Sequence, residues 1–110
     1  MKKIEDGRRL SIFIGEDHRY KGMPLYEAII QKAMEQGLAG ATVLKGVESF
    51  GSHHKVHTTR ILRAAEDLPM VIEIIDSREK IETFLTCLDE IMEEGTVTVV
   101  SDVKVIKYSP

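Results

Sequence analysis

The chain has 110 residues, of which 43% are hydrophobic and 30% charged, and a formal net charge of −3. That length carries one globular domain over 1–110, small enough to gain from self-association, and the acidic balance argues against a dedicated nucleic-acid binder. No apolar run approaches the roughly 20 residues that span a bilayer, the first residues lack a secretory apolar stretch, and a lone Cys87 forms no internal disulfide, so the expected location is cytoplasmic, without membrane insertion.

Leu10, Ile12 and Ile14 alternate with Arg9, Ser11 and Phe13, which predicts a strand over 8–15 with one buried face. A polar loop bounded by Gly15 and Gly22 follows, carrying Glu16, Asp17, His18, Tyr20 and Lys21. Pro24 suits the first turn of a helix, where a missing N–H costs nothing. Leu25, Ala28, Ile29 and Ala33 then recur at helical spacing, and Gly37 supplies the stop.

From Gly40 the chain reads as a second strand that runs into a loop of glycine, hydroxyl and basic residues, Ser49 to Lys55. Residues 56–68 fit two readings, a short helix through Ile61, Leu62 and Ala65 or the far strand of a long hairpin. Pro69 to Ile75 is β-rich and too short for a helix. Ile81, Phe84, Leu85, Leu88, Ile91 and Met92 form one helical stripe, with Asp76 or Ser77 as cap, Glu79 placed to reach back, and Gly95 as the stop. Val97, Val99, Val103 and Val105 share one face of a final strand or pair of short strands.

The order strand, helix, strand, strand, helix, strand predicts an α+β ferredoxin-like βαββαβ sandwich, a four-stranded antiparallel sheet with two helices on one face. The other face has no helix to cover it. Val43 or Leu44 and Val71 or Ile72 leave apolar side chains for both faces, so a homo-oligomer is expected.

Chemistry is expected at the loop after the second strand. Gly51 allows close backbone approach, Ser49 and Ser52 add hydroxyl donors and Lys55 adds a charge, which suits a phosphate or carboxylate in a backbone nest. His53, His54 and His57 could share a transition metal, although adjacent residues on an extended chain point apart. Glu16 and Asp17 lie near the end of the first strand, where that loop can approach a neighbouring subunit's hairpin. No nucleophile motif or phosphate-binding lysine loop occurs, and the expectation is a protein that is not an enzyme.

Gly40-Ala41-Thr42-Val43, Gly46, Ser49-Phe50-Gly51 and Asp67-Leu68-Pro69 together resemble the PII signal-transduction proteins. With Pro24-Leu25-Tyr26-Glu27 and Leu44-Lys45-Gly46 added, the chain resembles more closely a PII-like family of uncharacterised function, domain of unknown function 190. The resemblance implies a homotrimer whose intersubunit clefts hold an adenine nucleotide or other small anion. The loop base, Gly46, Ser49, Phe50, Gly51 and Ser52, would meet the phosphates, and the turn Gly95, Thr96 and Val97 would line the cleft beside Glu16. PII proteins place basic residues in that turn. Here Lys55 and Arg60 are the candidate substitutes. The implied role is ligand sensing and signalling, with residues 51–58 presented to a protein partner. The alternative resemblance is to the CutA proteins of the same architecture, trimers that would hold a divalent metal at His53, His54 and His57.

Overall fold

A computed structural model of the chain describes residues 1–50, 56–58 and 68–110, with the backbone alone at Phe50 and 56–58. The elements are β1 (Lys2–Gly15), β2 (Arg19–Tyr20), β3 (Met23–Pro24), α1 (Leu25–Glu35) and β4 (Thr42–Lys45). They continue with β5 (Glu48–Phe50), β6 (Val56–Thr58), β7 (Pro69–Asp76), α2 (Arg78–Ile91) and β8 (Thr96–Tyr108). Strands β4-β7-β1-β8 form one four-stranded antiparallel sheet in that order, and β2-β3 and β5-β6 are separate hairpins. This is the ferredoxin-like α+β arrangement. The first and third long strands lie side by side in its centre.

Alternation along β1 and β7 decides which face is closed. Leu10 opposes Ile74, Ile12 opposes Ile72 and Ile14 opposes Met70, and all six are buried against the helices. Leu25, Ala28, Ile29 and Ala33 of α1 complete this layer with Ile81, Phe84, Leu88 and Ile91 of α2. Each large aliphatic or aromatic side chain so withdrawn from water contributes about 1.5–3 kcal/mol. This layer is the core.

Local chemistry sets the helix limits. The Ser77 hydroxyl accepts from the Lys80 amide and caps α2, while the Asp76 carboxylate accepts from the Ala39 and Ser77 amides instead. Asp76 therefore ties the end of the α1 connection to the start of α2. At the other end of α1, Gly37 adopts φ +71°, and the Leu38 amide reaches back to the Ala33 carbonyl. The β2–β3 turn is built on Lys21 and Gly22, both at positive φ, which suits the twist of a two-residue hairpin.

The outer strands depart from the sequence-based reading. β1 begins at Lys2, well before residue 8, because Lys2–Gly7 pairs with Val103–Tyr108 as a two-stranded arm. Between Gly7 and Arg9 the β1–β8 register slips by one residue. Val97 and Val99 pair with Ile12 and Leu10 on the helix side, whereas Val103 and Val105 pair with Gly7 and Glu5. A one-residue slip turns a strand's side-chain set over. The four valines thus divide between the two faces rather than sharing one.

Among the described residues, no helix or strand covers the face away from the helices. Leu44, Val71 and Phe13 make one row across β4, β7 and β1, with Leu44 56% and Phe13 44% exposed. A polar row follows, Thr42, Glu73, Ser11 and Thr98, and then Ile75, Arg9 and Val100.

Candidate functional site

One end of the sheet collects the end of β1, the end of β4, the start of β7 and the start of β8. The Glu16 amide donates to the Leu68 carbonyl at 2.7 Å, which turns the chain out of β1 beside the entry to β7. The Gly46 amide likewise donates to the Pro69 carbonyl at 2.7 Å. A Cβ on Gly46 would stand 2.7 Å from Pro69 Cγ, so the position demands glycine for closeness. Its N–H is already engaged, and Gly46 shapes the loop base without offering that donor to a ligand.

Two polar links stand on this platform. Lys45 Nζ lies 3.0 Å from Glu16 Oε2 and joins β4 to the loop after β1. His18 Nε2 lies 2.8 Å from Glu94 Oε1 and joins the same loop to the turn after α2. His18 Nδ1 accepts from the Gly15 amide, so a neutral ring carries its proton on Nε2 and donates it to Glu94. The His18 carbonyl accepts from the Leu25 amide at 2.7 Å, anchoring the loop to α1. The His18–Glu94 and Lys45–Glu16 pairings escape sequence reasoning because they join segments far apart in the chain.

Of the expected cleft residues, Gly95 sits in this end at φ +120°, where a Cβ would come within 2.9 Å of Ile14 Cγ2 and the Phe13 carbonyl. Thr96 is exposed on the open face opposite Phe13. Val97 turns inward and packs on the core. Ser49 is exposed on β5 and pairs with His57 of β6, and Phe50 pairs with Val56. Residues 56–58 form strand, and Ile61, Leu62 and Ala65, on which the short-helix reading rests, lie outside the described residues. Gly51, Ser52, His53, His54, Lys55 and Arg60 lie outside the described residues, as do the side chains of Phe50 and His57.

Among the described residues, the cleft beside Gly95 carries an acidic rim. An open cleft of about 280 Å³ beside Gly95 has Leu85, Leu88, Met92 and Val97 on its walls and Asp89, Glu93 and Glu94 on its rim. Lys45 is the β4 cation nearest the loop base, and it leans on Glu16. Among the described residues no group of three His, Cys, Asp or Glu side chains could hold a metal ion, and no helix is long and apolar enough to cross a membrane.

A second cleft, about 470 Å³, lies at the opposite end of the sheet where β1 and β8 slip. Its cations are already partnered: Arg8 and Arg78 meet Glu82, at 3.5 and 3.1 Å, and Lys104 meets Asp6. The hydrogen bond and charge of Glu82 raise the Arg78 pKa, and those of Asp6 raise that of Lys104. These pairs hold the bulged arm to α2 and to itself.

Comparison with known proteins agrees with this architecture. A family profile described as Uncharacterized ACR (DUF190) matches residues 7–105. A UPF0166 protein of Aquifex aeolicus (strain VF5) is 37% identical over 106 residues, covering 94% of this chain and 97% of that protein. Among solved structures, CPII of Thiomonas intermedia K12 bound to ADP and bicarbonate superposes with a TM-score of 0.65 at 20% identity, covering 94% of this chain and 91% of that one. CutA of Synechococcus elongatus PCC7942 gives 0.63 at 12% identity, covering 94% and 85%. Likeness at such identities establishes a shared fold.

Proposed function

The chain belongs to the DUF190 (UPF0166) family and has the PII-like fold, and from that premise we propose that it is a non-enzymatic sensor of a small anionic ligand. Three copies pack their open sheet faces together. The ligand, an adenine nucleotide or another small anion, lies between neighbouring copies at the sheet end that carries Glu16, Lys45, Gly46 and Gly95. The β5–β6 hairpin, with the connecting residues 51–55, is the segment a protein partner reads.

The observation that carries this reading is the placement of that hairpin. It starts after two intervening residues beyond Lys45, beside the Gly46–Pro69 contact, in a fold shared with a protein solved with ADP and bicarbonate. A ligand that touches the hairpin base changes the balance between its arrangements by its differential affinity for them, which is all that switching requires. The bare row of Leu44, Val71 and Phe13 supports self-association, since an apolar stripe of this kind is costly to leave in water.

Calorimetric titration with ADP, AMP, ATP, cyclic AMP and bicarbonate, alongside native mass spectrometry of the purified protein, tests the reading. Binding of one of them by an oligomer is the expected result. A monomer that binds none of them refutes it.

A further inference from the structure

Lys45 and Glu16 each stand at a main-chain hydrogen bond to the entry of β7. The residue after Lys45 is pinned by the Gly46–Pro69 hydrogen bond and has no room for a side chain, while Glu16 is pinned by its own amide on Leu68. Only the side chains are free to exchange partners. Lys45 is 51% exposed and its ammonium has three donors, whereas Glu16 is 32% exposed and presents a carboxylate to it at 3.0 Å. Pairing of Lys45 with Met70 puts it at the last rung of β4, directly before the β5–β6 hairpin.

We propose that Lys45 is the cationic contact for the ligand, and that Glu16 is an intramolecular competitor whose carboxylate takes the place of the ligand's oxyanion. This rests on the sensor reading and assigns its recognition chemistry. The competitor is weak by construction, because an exposed ion pair contributes about 0.2–1 kcal/mol. An incoming carboxylate or phosphate displaces it readily when other donors at the site add to the contact. Displacement unties β4 from the loop after β1 without moving either backbone. Ligand charge is then read at the link that spans two of the strands supporting the hairpin.

The test is calorimetric titration of wild type, Glu16→Gln, Lys45→Gln and Lys45→Arg with sodium bicarbonate, inorganic phosphate and ADP, each alone at low ionic strength. Removing the competitor tightens binding of the recognised anion about two- to five-fold, the fold-change equivalent of an exposed pair. Lys45→Gln weakens it about tenfold or more, as loss of a hydrogen bond to a charged group does, and Lys45→Arg keeps most of the affinity. Bicarbonate binding alone identifies a carboxylate-type ligand, and phosphate or ADP binding identifies a phosphate. If wild type binds one of the three and all variants bind it equally, the competitor assignment falls while the sensor reading stands. If neither wild type nor Glu16→Gln binds any of them, both fall.

Discussion

The two faces of the sheet are built from neighbouring residues and meet opposite fates. Ile72 is fully buried under the helices, and Val71, one residue earlier, looks out from the bare face beside Phe13 and Leu44. The closed face stabilises the protomer, whereas the open one is the surface proposed to meet other copies. A pair of substitutions one residue apart separates the two roles. Ile72→Ala removes buried methyl groups from a packed site and destabilises the protomer by about 2–5 kcal/mol in urea denaturation. Val71→Ala costs the protomer only ~0.5 kcal/mol, in the range of surface changes, and shows its effect in association. Equal losses from both would mean that the open face is not an interface.

A charge in the apolar row sharpens the comparison. Phe13→Glu places one carboxylate per protomer in the row, and in a symmetric assembly those carboxylates must be desolvated near one another. Sedimentation is expected to shift from an oligomer to the protomer, while far-UV circular dichroism keeps its helical signal because Phe13 lies away from the helices. An unchanged mass would place the contact elsewhere.

What the sequence disclosed follows the same division. The period-two pattern of Leu10, Ile12 and Ile14 and the helical stripe of Ile81, Phe84 and Leu88 each declare one buried face, so the closed layer and its topology could be read directly. The Ser77 cap and the Gly37 stop were legible because they are local. The arm Lys2–Gly7 was not, since its charged residues lack alternation and only pairing with β8 makes them strand. The slip near Gly7 was equally hidden, because a bulge is a property of two strands and leaves no periodic mark on either. At the candidate site, Gly46 and Gly95 were visible as glycines and Glu16 as part of a polar loop. The partners that give Gly46 and Glu16 meaning, Pro69 and Lys45, come from other segments, as does Glu94, which meets His18 of the polar loop.

The smallest expected effect concerns the outer flank of the closed layer, where Cys87 is half-buried on α2 and packed against the core. Sequence neighbours suggest no cation near it, yet Lys32 of α1 is close enough to lower its pKa. Burial acts more strongly in the other direction, helped by Glu90 and Glu35, and the net result is a thiol held above its ordinary value. Alkylation of the folded protein by iodoacetamide should therefore show a pH midpoint above that of free cysteine, returning to the ordinary range in urea. The stability linked to this group is present below the unfolded thiol pKa and is lost as pH rises through the folded one. Because the thiol lies on α2 rather than on the open face, Phe13→Glu should leave its profile unchanged. A profile that moved with Phe13→Glu would show that the two faces are coupled and not the independent surfaces their packing describes.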